Sequence, residues 1–495
     1  MNHENAMHLD ADTLPTLADR IAIPTYDRTA LEPRILHVGV GGFHRAHMAG
    51  YTDELLAAGG TTWSIHGAGI TAADERMAEA LNPQDGLYTL VARGPESEDA
   101  RVVGSITDYF HAAPRSSEFC GEVAAADYRI ISLTVTEKGY HAIGDDRHLD
   151  TAHPDVAHDL SHPDAPRTAV GFLFRVAQLR IASGQPLPTF LSCDNVPHNG
   201  STLRRLILEY GAEVDKETTR VLADTGRFPN SMVDRITPGT TDGDREYVRN
   251  HWGIEDAWPV VCEDFRQWYI EDTFAAGRPD WDAVGAVFVP DVTPYELMKI
   301  RLLNGSHSAL AYLSYLLGYR RVDRAMADPD VARFVERYMK EIEPAVGAVP
   351  GVDLSDYQAK LVERFSNPAV ADQVLRLCED GSSKIPNMIL APLAELVASG
   401  RSIVHGAFGL AAWIRFLRAT DESGAPIEIN DPNADELVER ARACESDVNP
   451  FLDDTSIFPS ELKRSERFRT AVGAAYLSIG TNGIRAAIRD LGQDQ

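Results

Sequence analysis

The sequence predicts an α/β protein whose N-terminal half holds a parallel sheet and whose C-terminal half is mainly helical. Up to about residue 290, short apolar runs alternate with glycine turns and amphipathic stretches, which is the pattern of strand–helix–strand units. From Pro294 onward, long stretches with helical spacing dominate. We therefore expect a lead-in over 1–30, an α/β domain over 31–290 and a helical domain over 291–495.

Composition is that of a globular protein and limits the classes of partner. The 495 residues are 44% hydrophobic and 24% charged, enough for a large core without disulfides. The 47 basic and 74 acidic side chains give a net charge of −27, which repels nucleic-acid phosphates and anionic lipid. We expect no nucleic-acid partner and no membrane association. The acidic surface and the lack of obvious pairing helices favour a monomer.

Cysteine usage and the first residues bear on the compartment. Five cysteines, an odd number, show no CxxC spacing, which favours free thiols in a reducing compartment. The first fourteen residues are polar and acidic, unlike a signal or transit peptide. We therefore expect a cytoplasmic protein.

A glycine-rich turn is the first chemical motif. An apolar run at 34–39 predicts a buried strand, helical spacing follows over 46–56, and a second strand is predicted over 63–70. Glycines in such a turn let the backbone approach a pyrophosphate at a helix N-terminus, although a tight turn without a ligand is the alternative. This context predicts a Rossmann-type dinucleotide-binding domain. The residues expected to contact the cofactor are Gly39, Gly41, Gly42, Phe43 and Arg45.

Cofactor preference depends on the end of the second strand. An acidic residue there usually binds the adenosine ribose of NAD. Asp74 is the nearest carboxylate, although it lies a few residues late, and Arg76 follows closely. We expect NAD, with NADP possible.

A second motif lies on one predicted helix over 295–319, where four polar residues precede an apolar stretch: Glu296, Lys299, Asn304 and His307. At about 100° per residue, they fall within an arc of about 140°. A lysine in a buried helix is costly while charged, so desolvation lowers its pKa from the usual value of about 10.4 toward that of a usable base. The alternative is a surface ion pair of Lys299 with Glu296, with His307 in the core.

Other polar clusters have structural alternatives. Asp194 and Asn195 follow a predicted strand, where α/β sheets bind ligands, but an Asx turn also explains them. Asp234 beside Arg235 is equally typical of a structural salt bridge. The segment 141–166, rich in His, Asp and Pro, is predicted to be a loop. It contains His153, His158 and His162 without a zinc-binding pattern, so we expect no metal site.

These motifs closely resemble the signatures of the polyol-specific long-chain dehydrogenase family. The resemblance rests on the glycine turn through His47 and on Lys299–His307, and it spans about residues 30–490. The supporting matches are Ser192–Asn195, Phe228–Arg235 and Asp380–Pro386. The family implies a Rossmann-type domain, a helical domain and a site between them. It also implies metal-free, NAD(P)-dependent interconversion of a polyol and a ketose, here D-mannitol and D-fructose by hydride transfer at C2.

The resemblance also implies roles for individual residues. Lys299 would be the general base, with Glu296 on a proton path behind it, and Asn195 and Asn304 would form the oxyanion site. Family members often carry a glutamate where this chain has Ala72, so the choice between NAD and NADP stays open. The side chains expected to hold substrate hydroxyls are Asp234, His307, Arg376 and Lys384.

Four alternatives follow from the same residues. A hexuronate reductase acting on fructuronate or tagaturonate would use Arg376 or Lys384 to hold the substrate carboxylate. A dehydrogenase of D-arabinitol or sorbitol is a second alternative. A dinucleotide sensor without chemistry is a third, although it would not need a base such as Lys299. A zinc-dependent dehydrogenase is the fourth.

Overall fold

The fold comes from a computed structural model, which describes residues 6–144, 147–453 and 457–491. The chain divides into two compact units. The first ends at Val292 and the second begins at Thr293.

The first unit contains a five-stranded sheet in which every pair of neighbouring strands is parallel. Along the sheet the strands are Thr189–Ser192, Ile130–Leu133, Glu32–Val38, Trp63–Gly69 and Ile106–His111. The first of these in the chain is central, and the order reverses beside it, as in doubly wound dinucleotide-binding folds. The predicted α/β class and its strand–helix–strand unit are confirmed.

The central strands of this sheet are buried on both faces, which explains apolar neighbours such as Ile35–Leu36 and Ile130–Ile131. Adjacent residues point to opposite faces and pack into different clusters. Ile35 and Ile130 belong to one cluster, and Leu36 and Ile131 to the other. The helices of this unit are Gly42–Ala46, Met48–Ala57, Glu75–Leu81, Ser116–Ala125, Pro154–Ser161, Ala169–Ala182, Asn199–Val214, Lys216–Thr225 and Asp242–Trp252.

Smaller sheets complete the first unit. One contains Val260–Glu263, Tyr88–Arg93 and Glu98–Val103. Another contains Ser231–Asp234, Gln267–Glu271 and Val287–Val289. The two-stranded pairs are Met7–His8 with Ile254–Glu255 and Ala142–Ile143 with His148–Leu149.

Two local predictions for this unit need correction. The helix expected over 46–56 begins earlier, at Gly42, and is interrupted at His47, whose backbone has φ −113° and ψ −96°. The segment 141–166 is not simply a loop, because Pro154–Ser161 forms a helix inside it. Proline at the first helical position and a capping residue before it favour that helix start.

The second unit is mainly helical in its described part. Its helices are Thr293–Met298, Gly305–Leu316, Val322–Met326, Pro329–Val346, Leu354–Phe365, Val374–Cys378, Gly381–Ile385, Ala391–Ala398, Val404–Phe416, Ala434–Ala443, Asn449–Leu452, Ser460–Arg464 and Glu466–Asp490. Two turns of this unit are π-helical, Lys299–Asn304 and Pro386–Leu390. The first interrupts the helix predicted over 295–319. Within the segment 369–379, only Val374–Cys378 is helical.

Two further findings concern the chain as a whole. None of the helices in the described ranges combines the length and apolarity that a bilayer crossing demands. The five cysteines are free, as expected from their spacing, and all five are buried. Burial raises the pKa of the Cys120 thiol to about 12 and that of Cys262 to about 11.

Candidate active site

The glycine loop, residues 39–45, comprises the turn after the central strand and most of the first helix, Gly42–Ala46. Gly39 has φ +87°, and a Cβ there would lie 2.3 Å from the carbonyl oxygen of Thr134. Only glycine fits this position. By contrast, a Cβ on Gly41 would meet no atom within 4 Å, and Gly41 is exposed. The loop therefore presents bare backbone on its outer side.

This outer side suits a dinucleotide pyrophosphate. Gly41 precedes the helix Gly42–Ala46, whose first-turn N–H groups have no carbonyl one turn earlier to bond. Gly42 and Phe43 are partly exposed at this end. Open backbone and a helix N-terminus are the features that favour phosphate binding.

The predicted cofactor contact by the Arg45 side chain is wrong. Arg45 is fully buried, and its guanidinium donates to the carbonyl oxygens of Trp258 and Gly41 and lies over the ring of Tyr88. Burial lowers the pKa of Arg45 to about 10. Arg45 therefore supports the glycine loop from inside, because it has no surface available to a ligand.

A buried histidine also supports the loop and was missed in the sequence. His37 contacts the Ser132 hydroxyl at 2.8 Å and the Thr134 hydroxyl at 2.9 Å, and Thr134 donates to the Gly39 carbonyl at 2.7 Å. The His37 ring also stacks on that of His44, with ring centroids 3.4 Å apart. The sequence signal for this role was a histidine within a predicted apolar strand, because a buried imidazole needs hydrogen-bond partners.

A groove of about 730 Å³ lies at the end of the second strand. Its walls come from 70–72, 113–118 and 165–167, together with Asp155 and His158. In doubly wound folds, this end of the second strand receives the adenosine ribose.

Asp74 has a local role beside this groove. Its Oδ2 accepts hydrogen bonds from the backbone N–H and the hydroxyl of Thr71, both at 2.8 Å. Together with a reciprocal bond, they form a capping box at the start of a short helix. Ribose binding by Asp74 stays a prediction.

A buried carboxylate organises the ends of two neighbouring strands. Asp194 accepts hydrogen bonds from the backbone N–H groups of Val135 at 3.1 Å and Thr136 at 2.8 Å, and from the Tyr140 hydroxyl at 2.9 Å. Burial raises the pKa of Asp194 to about 6. Thr136 is held at φ +62°, which is unfavourable for a β-branched residue. Tyr140 and Thr136 were missed because neither forms a recognisable motif with Asp194.

The neighbouring candidates differ in exposure. Asn195 is exposed directly after Asp194, while Asp234 is only 4% exposed at the end of the strand Ser231–Asp234. Arg235 donates from Nε to the Glu263 carbonyl at 2.9 Å. This hydrogen bond gives Arg235 a structural role, because it holds the backbone at Glu263. The proposed roles of Asn195 and Asp234 stay predictions.

The second motif lies on one helical run, but the predicted spacing is wrong. Lys299 begins the π-helical turn that ends at Asn304, so residues in this turn advance by less than 100° each. The four side chains therefore lie at different angles from those calculated for an α-helix. Lys299 is 8% exposed, and Glu296 and His307 are similarly buried, whereas Asn304 is partly exposed.

Close packing holds this π-helical turn. A Cβ on Gly305 would lie 2.9 Å from the carbonyl oxygen of Met388, which belongs to the second π-helical turn. Arg301 donates to both carboxylate oxygens of Glu395, at 2.9 and 2.6 Å. The His307 ring stacks on Phe365 with centroids 3.9 Å apart. The lysine therefore starts from a rigid, widened segment, a feature often found at functional sites.

The two other cations predicted to bind substrate are also in the second unit. Arg376 is about half exposed and pairs with Asp372 at 2.7 Å. Lys384 is partly buried, which lowers the pKa of its ammonium group despite the nearby Asp380. Substrate binding by either residue stays a prediction.

Comparison with known proteins shows the family to which this chain belongs. The Rossmann-domain model of mannitol dehydrogenase matches residues 33–283, and the model of its C-terminal domain matches residues 291–480. The chain belongs to the mannitol dehydrogenase family. The resemblance to polyol-specific long-chain dehydrogenases is thus confirmed, and so is the expected enzyme class, an oxidoreductase.

Individual members of the mannitol dehydrogenase family match over nearly the whole chain. Mannitol 2-dehydrogenase of Phaeosphaeria nodorum is 40% identical over 94% of this chain and 83% of its own length. Mannitol dehydrogenase 2 of Saccharomyces cerevisiae is 39% identical over 98% of both chains.

Two solved structures of the family share the fold. Pseudomonas fluorescens mannitol 2-dehydrogenase, in a ternary complex with NAD and D-mannitol, is 40% identical, with a TM-score of 0.91 over 99% of this chain and 100% of its own. A substrate-free D-sorbitol dehydrogenase is 32% identical, with a TM-score of 0.88 over 97% of this chain and 100% of its own.

Proposed function

We propose that this enzyme interconverts D-mannitol and D-fructose with NAD, by hydride transfer at C2. The observation that carries the proposal is the likeness to the Pseudomonas fluorescens enzyme, which was solved with both NAD and D-mannitol. Its 40% identity extends over both units of this chain. Such a match supports a common cofactor and a common substrate class.

The glycine loop supports the cofactor assignment. Gly41 leaves open space where a side chain would stand, and Gly42 and Phe43 begin a helix behind it. These residues would hold the pyrophosphate through backbone N–H groups. When bound, NAD accepts the hydride that leaves the alcohol carbon.

Lys299 is the proposed general base. Burial disfavours the charged form of an amine and so favours the neutral form that this role requires. In that form, its Nζ takes the hydroxyl proton of the polyol and returns it during ketose reduction. Glu296, three residues earlier and also buried, would pass the proton onward. Amide donation by Asn195 and Asn304 to the substrate oxygen completes the proposal.

Proton removal by an amine does not call for a Lewis acid, so we propose that turnover is metal-independent. Exhaustive treatment with a strong chelator, followed by assay in chelator-treated buffer, should leave kcat unchanged. A loss of activity that added Zn²⁺ restores would instead support a zinc-dependent dehydrogenase.

D-sorbitol is the second candidate substrate. The specific observation in its favour is the D-sorbitol dehydrogenase match at 32% identity over 97% of the chain. D-sorbitol and D-mannitol differ only in configuration at C2. Substrate choice between them therefore depends on the hydroxyl contacts around that carbon.

A substrate panel tests the proposal. D-mannitol, D-sorbitol and D-arabinitol are assayed for oxidation with NAD and with NADP, and D-fructose and fructuronate for reduction. We expect the highest kcat/KM for D-mannitol and D-fructose with the NAD couple. A tenfold preference for D-sorbitol or fructuronate would transfer the assignment to that substrate. No change in nicotinamide absorbance with any substrate would contradict catalysis by these residues.

A further inference from the structure

Two histidines and one aspartate meet in the first unit, away from the glycine loop. His141 follows the short helix Glu137–Tyr140, and His153 caps the helix Pro154–Ser161, in which Asp155 is the second residue. One potential ligand atom from each of His141, His153 and Asp155 lies within 4.8 Å of the other two. Among the residues that the structure describes, this is the one group of three or more His, Cys, Asp or Glu side chains whose potential ligand atoms lie this close together.

The backbone fixes His141 in this cluster. Its φ of +49° is left-handed, and its carbonyl accepts a hydrogen bond from the Asp150 N–H at 2.8 Å. Its ring lies beside that of His153, with centroids 4.2 Å apart and planes tilted by 40°. Two imidazoles are thus held together although twelve positions separate them in the chain.

The His153 ring lies beside the Asp155 carboxylate. His153 Nδ1 accepts a long hydrogen bond of 3.3 Å from the Asp155 N–H, and a cation bound at this nitrogen would replace that bond. The same Nδ1 lies 4.0 Å from Asp155 Oδ2.

We propose that His141, His153 and Asp155 bind a divalent zinc-type cation. Two imidazole nitrogens and one carboxylate oxygen favour Zn²⁺ over Mg²⁺ or Ca²⁺, which prefer oxygen ligands. All three side chains are partly exposed, so water has access to a fourth position. Zn–N bonds of about 2.0–2.1 Å place tetrahedral ligands roughly 3.3 Å apart. Small side-chain rotations close the remaining distance.

This site is separate from the proposed chemistry at Lys299, and Asp155 is its one residue that also lines the groove at the end of the second strand. The cation would connect the turn after Tyr140 to the start of the helix Pro154–Ser161. Metal binding to the folded chain alone then stabilises this part of the first unit. The proposal does not depend on substrate or cofactor identity, because metal binding is measured without either.

The test uses His141→Asn, His153→Asn and, as a matched control, His162→Asn. Asparagine tolerates the left-handed backbone at 141 and is a preferred helix cap at 153, so both variants are expected to fold. His162 is exposed in the same segment, and its ring stacks on His158 rather than on the cluster. Circular dichroism and thermal unfolding of the chelator-treated proteins check the folds.

Zinc binding is measured by equilibrium dialysis and by competition with a chromophoric chelator. We expect one Zn²⁺ per wild-type chain, unchanged in His162→Asn and weakened at least tenfold in both other variants. Zinc should raise Tm in the wild type and the control only. Retention of wild-type affinity by either cluster variant, or loss in His162→Asn alone, would overturn the proposal. Turnover measured in parallel should be unaffected by His153→Asn, which keeps a failure here distinct from a failure of the dehydrogenase assignment.

Discussion

At the scale of single residues, the burial of Lys299 and its neighbours matters most. An ammonium group in water is a poor base near neutral pH, whereas an amine with 8% exposure has lost much of the solvation that stabilises its charge. Glu296 and His307 are also buried on the same helical run. Burial distinguishes Lys299 from a partly exposed lysine such as Lys360.

Replacement of the proposed base should separate binding from chemistry. Lys299→Ala is expected to lower kcat by about 10²–10⁴-fold because general base catalysis is lost. The Kd for NAD should change little, and small amines added to the assay should restore part of the activity. Steady-state kinetics and fluorescence titration provide the measurements. Lys360→Ala, which removes a partly exposed lysine paired with Glu363, serves as the control. A kcat above a tenth of wild type in Lys299→Ala would refute the role.

Buried histidines should make the first unit sensitive to acid. Burial lowers the pKa of His37 and of His47 to about 3, against about 6.5 in an unfolded chain. The unfolded chain therefore binds more protons between these values. The free energy of unfolding should fall as pH decreases below about 6.5, by up to about 1.4 kcal/mol per pH unit for each histidine.

Urea unfolding at about pH 7 and about pH 5 measures this dependence. His37→Gln should reduce the loss of stability between the two conditions by up to about 2 kcal/mol. His251→Gln, at an exposed position, should not change it. The raised pKa of Asp194, about 6, should by contrast increase the free energy of unfolding as pH falls over part of this range. The test is therefore the difference between His37→Gln and His251→Gln in the stability lost from about pH 7 to about pH 5. Equal losses in both variants would contradict a lowered pKa for His37.

At the scale of elements, sequence spacing predicts where strands lie more accurately than it predicts the geometry of helices. The run before Gly39 is apolar because both faces of its strand are buried, and a glycine break marks where it ends. The π-helical turn at Lys299–Asn304 has no such signal. It packs against a second turn near Met388, more than 80 positions later. Helical periodicity therefore placed the four polar residues on one helical run, as the structure has them, but at the wrong angles.

The glycine loop offers a matched pair of substitutions. Gly39→Ala should destabilise the protein by at least about 2 kcal/mol, since its φ is positive and Thr134 leaves no room. Gly41→Ala should keep the wild-type Tm but raise the Kd for NAD at least tenfold, because the methyl group occupies open space beside the helix start.

Thermal unfolding and NAD titration of both variants test these expectations. Gly121→Ala adds a methyl group to an exposed helix and is the control. Unchanged NAD affinity in Gly41→Ala would show that the dinucleotide does not approach this face of the loop.

At the scale of the whole molecule, predictions from local pattern fail where distant segments meet. The strand Met7–His8 pairs with Ile254–Glu255, almost 250 positions later, and nothing in its short sequence announces this pairing. The burial of Arg45 likewise depends on the Trp258 carbonyl. The fold class and the glycine and lysine motifs could be read locally, because strand burial and helix spacing leave a short-range pattern.

Net charge leads to a prediction about assembly. With −27 charges, two copies of the chain repel one another at moderate ionic strength. We expect a monomer of 54.3 kDa in size-exclusion chromatography with light scattering. A species of twice that mass, stable on dilution, would contradict this expectation.

The five buried thiols make the native chain a useful starting point for site-specific labelling. Maleimides react with thiolates, so thiols that are inaccessible and have a raised pKa are poor targets. A single cysteine introduced on the surface would therefore be the one position that takes up a dye. Two such positions, one in each compact unit, would allow their separation to be followed by energy transfer during turnover, without first removing any natural cysteine.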